Sequence, residues 1–484
     1  MERTHILDIK NMVGQSVNLF GWVATRRDHG KLIFIDLRDR SGIVQVVFTP
    51  HQSIPLTTNE GGGIGAGQAA NMYELAQQLR QEWVLRIKGT IKARPEKMVN
   101  VEIETGKVEI EPQEMEVLNR AETPPFPLDT DGYEIGEESR MKYRYLDLRR
   151  TRMTKNMIFR HKVTSFIRNW LTEKGFIEVE TPILTKSTPE GARDYVVPSR
   201  LYPGSFYALP QSPQQYKQLL MVAGLEKYFQ IARCFRDEDT RGDRQPEFTQ
   251  LDLEMSFVER EDVMKLNEEL LIGIVKNIYP EKEIQEIPFP RLSYQEAMEK
   301  YKTDRPDLRK DKENPNLLAF CWVIDFPFFS AEGGPASGGE IKWTFTHNPF
   351  SAPKAEFMED LIAGKNIPEI LTSQYDVVLN GWEIGGGSIR NHKPEGLEAV
   401  FRIMGFKKER IKENFGHMLE ALGFGAPPHG GIAWGFDRLV TLLGNEPNIR
   451  EVIPFPKTGD ARDLMMNSPS ELEKKQLKEL HLKI

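Results

Sequence analysis

Cysteine is scarce in this sequence, and its scarcity excludes a disulfide-built or zinc-built architecture. Only Cys234 and Cys321 occur among 484 residues. Two cysteines supply neither a disulfide framework nor the ligand set of a structural zinc site. The count fits a reducing compartment, so we expect a cytoplasmic protein.

The sequence also lacks long apolar runs and an excess of positive charge. No stretch approaches the ~20 consecutive apolar residues that a membrane helix needs, so we expect no membrane contact. The net charge is -7, so contacts with a nucleic acid must come from local basic patches. Because 39% of a 484-residue chain is hydrophobic, we expect two or more domains with substantial cores.

Phosphate-gripping glycine loops are missing as well. The segment 51–71 is rich in glycine (NEGGGIGAGQAAN), but it completes neither GxGxxG nor GxxxxGK[ST]. We interpret it as a flexible linker without chemistry of its own.

The first part of the chain predicts a small β-barrel. Five short runs rich in Val, Ile and aromatic residues are separated by Gly or charged turns, and one helix-like segment, Tyr73 to Leu79, follows the third run. The five predicted strands are Val17 to Ala24, Leu32 to Leu37, Ile43 to Phe48, Trp83 to Lys92 and Val108 to Val117. This order is typical of an OB-fold, which often binds single-stranded nucleic acid. An ordinary barrel with Phe34 in its core is the alternative.

A change in composition marks the end of this barrel. Residues 119–138 are rich in Pro, Asp and Thr, so we predict a hinge between domain 1–118 and domain 139–484. The basic segment Arg140 to Arg152 follows the hinge. It is either a solvated face or a contact for an RNA backbone.

A charged hairpin dominates the second domain. Two β-like runs, Tyr228 to Phe235 and Phe248 to Phe257, flank the turn RDEDTRGDRQPE. Arg236 offers a planar fork for phosphate or carboxylate, Glu238 accepts from an amino group, and Phe248 can stack on a base. Together these groups suit a nucleoside triphosphate, although charged hairpin tips are often merely solvated.

Three motifs in this part of the chain resemble those of the class II aminoacyl-tRNA synthetases. They are GFIEVETP at Gly175 to Pro182, FRDE at Phe235 to Glu238, and GIAWGFDR at Gly431 to Arg438. The phrases QSPQQYKQ, RQPEFTQLD and GGGSIR are similar to the bacterial type of aspartyl-tRNA synthetase. The resemblance runs nearly end to end. It implies an α+β protein with an N-terminal OB-fold and a catalytic domain built on an antiparallel sheet flanked by helices.

The resemblance implies a site for L-aspartate. Its members are Glu190, Gln214 and Asp252 near the amino group, Lys217 and Arg390 at the side-chain carboxylate, and Arg236 and His347. Fixed cations at both carboxylates would favour aspartate over asparagine. In the family a second histidine commonly follows the first, but here the next residue is Asn348.

The resemblance also implies an ATP site with Mg²⁺. The implied ATP contacts are Arg236, Asp237, Glu238, Gln245, Phe248, Glu383, Gly435, Phe436, Asp437 and Arg438. Arg236 and Arg438 are the implied catalytic residues, and Asp376 and Glu383 are the implied metal ligands. Hard carboxylate oxygens beside a triphosphate suit Mg²⁺.

The barrel and the first motif imply two macromolecular partners. By resemblance, Arg27, Phe34 and Gln45 contact anticodon bases of tRNA. The long helix predicted from Phe159 to Leu171, together with the strand Phe176 to Pro182, matches the motif that forms a homodimer in this family.

One domain usual in the bacterial family is missing near 303–317, between the second and third motifs. The catalytic motifs are otherwise present, so we expect an aspartate–tRNA ligase that charges tRNA(Asp). Charging of tRNA(Asn) stays open, because His29 resembles relatives that accept both tRNAs whereas Lys97 resembles those that accept one. The alternatives are an asparagine- or lysine-type synthetase, a tRNA-independent paralogue and a non-catalytic RNA-binding module.

Overall fold

The computed structural model of the protein describes residues 2–50, 72–187, 191–332 and 342–483. The predicted linker 51–71 and Glu190 lie outside the described residues. The described chain forms two compact units, Met1–Thr154 and Lys155–Ile484. The division falls later than the predicted hinge at 119–138, and residues 120–136 contain neither helix nor strand. The domain bounds stay a prediction.

The first unit contains a closed five-stranded barrel with the order β1-β2-β3-β5-β4. Its elements are β1 Ser16–His29, β2 Leu32–Arg38, β3 Ile43–Phe48, α1 Met72–Ala76, β4 Val84–Ala93 and β5 Val108–Asn119. Alternate residues of each strand fill the barrel, as Ile33, Ile35 and Leu37 of β2 do. The predicted OB-fold is confirmed.

The basic segment after the barrel buries three of its arginines. It forms α2 Glu137–Lys142 and α3 Arg144–Asp147. The side chains of Arg140, Arg144 and Arg150 are buried, and their nitrogens lie 2.8–3.0 Å from the carboxylate oxygens of Asp147. These three arginines are therefore not part of a solvated face, because a buried carboxylate compensates part of their positive charge. The alternative, a contact for an RNA backbone, stays a prediction.

The second unit is built on an eight-stranded sheet with the order β12-β14-β17-β18-β19-β10-β9-β6. The sheet strands are β6 Ile177–Glu178, β9 Lys227–Phe235, β10 Glu247–Ser256, β12 Arg291–Ser293, β14 Phe320–Ile324, β17 Gln374–Leu379, β18 Trp382–Ile389 and β19 His429–Gly435. Three two-stranded sheets add β7 Val196–Pro198 with β8 Phe206–Ala208, β11 Glu283–Ile284 with β13 Leu317–Leu318, and β15 Phe329–Glu332 with β16 Lys342–Phe345. The interior of the large sheet is antiparallel, and only its two end pairs are parallel.

The second unit also contains helices, and three of them pack against one face of the large sheet. The helices are α4 Thr151–Glu173, α5 Gln214–Val222, α6 Arg260–Ile278, α7 Tyr294–Tyr301, α8 Met358–Ala363, α9 Pro394–Ile403, α10 Lys408–Gly423, α11 Phe436–Leu443 and α12 Lys474–Glu479. Apolar residues of α4, α6 and α11 form one core with Leu251 and Leu253 of β10. Side chains alternate between the two faces of a strand, so the polar residues between Leu251 and Leu253 and after them point away from this core. Both faces of β10 are buried from Thr249 onward.

Two local predictions for this unit need correction. The strand predicted from Phe176 to Pro182 is paired only at Ile177–Glu178. Ser470 and Glu473 predict a capping box in the sequence, but Glu473 itself caps α12 and pairs with Gln476. Within the described residues, no helix is long and apolar enough to cross a membrane.

Residues 302–316 join α7 to β13, in the stretch where the sequence predicts that a domain is missing. Lys282 holds this connection. Its Nζ donates to the carbonyl oxygen of Pro315 at 2.9 Å and to Oδ1 of Asn445 at 2.6 Å. Burial lowers the pKa of Lys282 to about 8 from an ordinary value of 10.5.

This depressed pKa predicts a stability that depends on pH. Between pH 8 and 10.5 the unfolded chain binds the Lys282 proton and the folded chain does not, so folding becomes more favourable as the pH rises. We expect the free energy of unfolding, relative to a Lys282→Gln variant, to increase by about 2 kcal/mol from pH 7.5 to 9.5. Urea titrations of both proteins measure it. Lys276→Gln, on the exposed side of α6, is the control, and a difference independent of pH contradicts the account.

Candidate active site

A cavity of about 340 Å³ opens on the polar face of the large sheet. It brings together most of the residues that the sequence assigns to the two small substrates. These are Gln214, Lys217, Arg236, Glu238, Gln245, Phe248, Asp252, His347, Asp376, Glu383, Arg390, Gly435, Asp437 and Arg438. Asp237 and Phe436 are not among its lining residues.

Four buried charged side chains form the floor at one end of the cavity, where Lys217, Asp252 and Arg390 line it and Glu254 lies behind them. The Lys217 Nζ lies 2.9 Å from Oδ1 of Asp252 and 3.6 Å from Oε2 of Glu254. Arg390 grips Glu254 with two bonds, Nε to Oε1 at 2.8 Å and an Nη to Oε2 at 3.1 Å. The planar arginine fork matches a carboxylate in this bidentate way. Each of the four residues is 3% exposed or less.

The two carboxylates of this floor differ in their electrostatics. Burial raises the pKa of Asp252 above its ordinary value, although the charge of Lys217 opposes the shift. Burial also acts to raise the pKa of Glu254, but the charges of Arg390 and Lys217 more than offset it and hold the value low. Glu254 therefore stays ionised and fixes both cations. Sequence reasoning missed Glu254, although it alternates with Asp252 along β10.

Three glycines of β18 let the backbone form a flat side of the cavity. A Cβ on Gly387 would lie 2.3 Å from the carbonyl oxygen of Gly431, and a Cβ on Gly385 would lie 2.7 Å from Cδ1 of Trp434. A side chain at either position would collide with β19. Glycine here thus permits close strand packing beneath a ligand.

An aromatic and cationic stack lies at the other end. The guanidinium carbon of Arg236 lies 5.0 Å from the centre of the Phe248 ring, within the range of a cation–π contact. Nearby, the Gln245 amide bonds both ways to the backbone of Lys457, at 2.7 and 3.0 Å. Glu238 pairs with Arg244 at 3.2 Å. A planar, positively charged shelf results.

Arg438 reaches the cavity from the start of α11. It donates to the carbonyl oxygen of Glu383 at 3.0 Å and to the carboxylate of Asp243 at 3.2 Å. Asp243 belongs to the charged hairpin turn and was not singled out from the sequence. The arrangement therefore places a carboxylate where a bound anion could contact Arg438.

The remaining predicted ATP contacts are Asp437, Phe436, Asp237 and Gly435, and three of them bond or pack within the protein. Asp437 lines the cavity, but Oδ1 accepts from Arg160 at 2.5 Å and Oδ2 accepts from the backbone N–H of Thr249 at 2.8 Å. Phe436 packs in the core beneath Arg160, whose guanidinium carbon is 4.9 Å from its ring. Asp237 pairs with exposed Arg193 at 3.5 Å. Gly435 precedes α11 as its N-cap residue.

Asp376 and Glu383 fit a divalent cation. A Cβ built on Gly386 would lie 2.9 Å from Oδ1 of Asp376 and 3.6 Å from Oε1 of Glu383, so the two carboxylates face one spot. Burial, then the charges of Glu383 and Asp304, raise the pKa of Asp376 well above its ordinary value. A cation bound between them would relieve this repulsion. Among the described residues no cluster of three His, Cys, Asp or Glu residues forms a metal site, so further ligands must come from a substrate or water.

His347 borders this acidic pair. Its Nδ1 lies 3.9 Å from Oδ2 of Asp376, and its ring meets Phe326 edge to face at 4.7 Å. Burial lowers the pKa of His347, although Glu383 and Asp304 oppose the shift. The neighbouring Asn348 accepts from the backbone N–H of Phe350 at 2.7 Å, so it shapes the loop.

The three residues assigned to nucleic acid share the outer surface of the barrel. Arg27 and Phe34 are direct partners across β1 and β2, and Asp36 and Gln45 are partners across β2 and β3. Arg27 pairs with Asp36 at 2.9 Å and remains 60% exposed. Phe34 is half-buried on this outer face, so the alternative that put it in the core is wrong.

Comparisons with protein families match both units. The model described as "tRNA synthetases class II (D, K and N)" matches residues 136–459, and the model of an OB-fold nucleic acid binding domain matches residues 17–118. Both span motifs discussed above.

Full-length relatives include proteins named aspartate–tRNA(Asp/Asn) ligase. The aspartate–tRNA(Asp/Asn) ligase of Dehalococcoides mccartyi is 40% identical over 619 aligned positions, which cover 100% of this chain and 99% of that protein. The protein of the same name from Rubrobacter xylanophilus is 41% identical over 596 positions, with 98% and 95% covered. Since this chain has 484 residues, the relatives carry residues that it lacks.

Solved structures share the fold. The asparaginyl-tRNA synthetase of Pyrococcus horikoshii, complexed with asparaginyl-adenylate, superposes with a TM-score of 0.72 at 22% identity and with 95% of this chain and 98% of that chain covered. The aspartyl-tRNA synthetase of Entamoeba histolytica gives a TM-score of 0.70 at 22% identity, with 94% and 91% covered.

Proposed function

Because the chain belongs to the class II tRNA synthetases for aspartate, lysine and asparagine, we propose that it is an aspartate–tRNA ligase. It condenses L-aspartate with ATP to aspartyl-adenylate and transfers the aspartyl group to the 3′ end of tRNA(Asp). The observation that carries this proposal is the buried floor, where Lys217 and Arg390 are held in place by Asp252 and Glu254.

The floor favours an acidic side chain. Arg390 has five N–H donors, and its bonds to Glu254 and Ser388 use three of them. The remaining donors and the Lys217 ammonium suit a carboxylate. An asparagine amide would present an N–H₂ group to these donors, and a lysine substrate would add a third buried cation. Both would leave buried polar groups without partners.

The remaining residues suit adenylate formation. An α-carboxylate oxygen of aspartate attacks the α-phosphorus of ATP in line, and pyrophosphate leaves. Both reactants are anionic, so the site has to hold them together against repulsion and neutralise charge that develops on the phosphate. We assign this role to Arg236, with the adenine beside Phe248, and to Arg438. Glu190, Gln214 and Asp252 are assigned to the substrate amino group.

Mg²⁺ would be held by Asp376 and Glu383, and when bound it neutralises phosphate charge. On the arginine side, the triphosphate would take the place of the Asp243 carboxylate against Arg438. No covalent link to the enzyme is needed. A ribose hydroxyl of tRNA then attacks the adenylate carbonyl, and AMP leaves.

The tRNA is recognised by the barrel in this proposal. Arg27, Phe34 and Gln45 contact the splayed anticodon bases. We include tRNA(Asn) as a second substrate, because the relatives at 40% identity are named for both tRNAs. Charging of tRNA(Asp) and tRNA(Asn) transcripts with labelled aspartate tests this. Acceptance of neither tRNA by protein that still forms the adenylate would contradict the ligase assignment.

We further propose a cytoplasmic homodimer. Several apolar side chains after α4 are 40–67% exposed, and they are Ile177, Ile183, Leu184, Val196 and Leu201. A second copy would cover them through an isologous contact. Sedimentation equilibrium should give twice the mass of the chain, and a monomer at micromolar concentration would refute this part.

A further inference from the structure

Two buried hydroxyl groups adjoin the arginine of the proposed aspartate pocket. Ser388 lies at the end of β18, two residues before Arg390, and lines the cavity. Ser351 lies on the loop that also carries His347, and it lines the same cavity. Each serine is 1% exposed. Neither was singled out by the sequence.

Two hydrogen bonds that the Ser388 hydroxyl accepts restrict the direction in which it can donate its own proton. The Oγ of Ser388 accepts from an Nη of Arg390 at 2.9 Å and from the hydroxyl of Ser351 at 3.0 Å. A serine oxygen has two acceptor lone pairs and one O–H donor. Because both lone pairs are filled, the Ser388 O–H is free to donate into the cavity.

We propose that Ser388 donates a hydrogen bond to the side-chain carboxylate of aspartate, and that Ser351 is a positioning residue which keeps Ser388 in this donor state. The inference rests on the proposed function and adds a specificity contact to it. A carboxylate oxygen accepts from Ser388, whereas the N–H₂ group of asparagine would meet a second donor. The Ser351–Ser388 pair thereby strengthens the rejection of asparagine.

The pair also connects two parts of the site. Ser351 bridges to Arg390 through the backbone, and the N–H of Ser351 bonds to the carbonyl oxygen of Asn348 at 3.4 Å. The loop that carries His347 is thus joined to the arginine that reads the carboxylate. Loss of the Ser351 hydroxyl frees a lone pair on Ser388, whose own proton is then no longer confined to the cavity.

Pyrophosphate exchange with aspartate and with asparagine tests the proposal on Ser388→Ala, Ser351→Ala, Ser351→Thr and the double alanine variant. We expect Ser388→Ala to raise the KM for aspartate by about 10- to 100-fold, because a hydrogen bond to a charged group is lost. Ser351→Ala should raise it by about 3- to 10-fold, and Ser351→Thr should restore the wild-type value. The KM for ATP should stay unchanged. The preference for aspartate over asparagine should fall by about the same factor by which the KM for aspartate rises.

Because Ser351 acts through Ser388, the double variant should be no worse than Ser388→Ala alone. Ser373→Ala is the matched control, since its hydroxyl bonds to the Pro353 carbonyl oxygen at 3.3 Å on the same loop. Additive effects, an unchanged KM in Ser351→Ala, or an equal rise in the KM for ATP would overturn the proposal. If Ser388→Ala does not fold, the comparison of Ser351→Ala with Ser351→Thr decides alone. Absence of aspartate-dependent exchange in the wild type would instead refute the proposed function.

Discussion

Replacement of Arg236 by alanine should lower the rate of aspartate-dependent pyrophosphate exchange by a factor of about 10³. A positioned charge aimed at a developing phosphate charge commonly contributes at this scale in a water-poor site. Arg236 is well placed for it because its guanidinium is held against the Phe248 ring, 5.0 Å from the ring centre. Steady-state exchange at saturating ATP and aspartate measures the loss.

Two other arginines separate this effect from a general loss of charge. Arg233 lies on β9, which ends one residue before Arg236. It pairs with Glu247 and does not line the cavity, so Arg233→Ala should keep exchange near the wild-type rate. Arg27→Ala should also spare exchange but raise the KM for tRNA by about tenfold, since it acts on the barrel. Equal damage to exchange by Arg27→Ala, or wild-type exchange by Arg236→Ala, would contradict this division of labour.

The second large effect is expected at Glu254. Glu254→Gln should lower the free energy of unfolding by about 3–5 kcal/mol, because it leaves Lys217 and Arg390 buried with Asp252 as the only carboxylate of the floor. The glutamine amide would also direct a donor at the guanidinium of Arg390. Urea unfolding at pH 7.5 measures the change.

The same strand provides a matched control for this prediction. Glu247 lies on β10, but its side chain is 39% exposed where it pairs with Arg233. Exposed ion pairs contribute about 0–1 kcal/mol, so Glu247→Gln should change stability by less than that. A Glu254→Gln protein within about 1 kcal/mol of the wild type would show that the floor is not held by this carboxylate.

Much of the fold was predictable because it depends on local pattern. The alternation in β2 and β3 and the turns between them predicted the barrel strands to within a few residues. The apolar spacing from Phe159 to Leu171 predicted α4, in which Val163, Ile167 and Leu171 are fully buried. Apolar residues that recur every 2 or every 3.6 positions show which face of a strand or helix is buried. These strands and this helix bury only one face, so their sequence pattern is clear.

The site was predictable only where a motif carried it. Glu254 was not predicted, because the local sequence LDLEMSF does not show whether this glutamate is solvated or paired. Its partner, Arg390, lies 136 residues away in the chain. The burial of Arg140, Arg144 and Arg150 was not predictable, because only the folded chain brings all three to Asp147. Phe436 belongs to the motif GIAWGFDR, but its ring packs in the core. Long-range pairing is not encoded in local spacing.

ATP–pyrophosphate exchange with aspartate, asparagine and lysine supplied separately, and without tRNA, tests the aspartate pocket and the adenylation step together. We expect exchange with aspartate alone, because Lys217 and Arg390 require a carboxylate and because the motifs that form the cavity are present. A preference for asparagine or lysine would contradict the assignment of the pocket. Absence of exchange with all three by folded protein would contradict the adenylation itself.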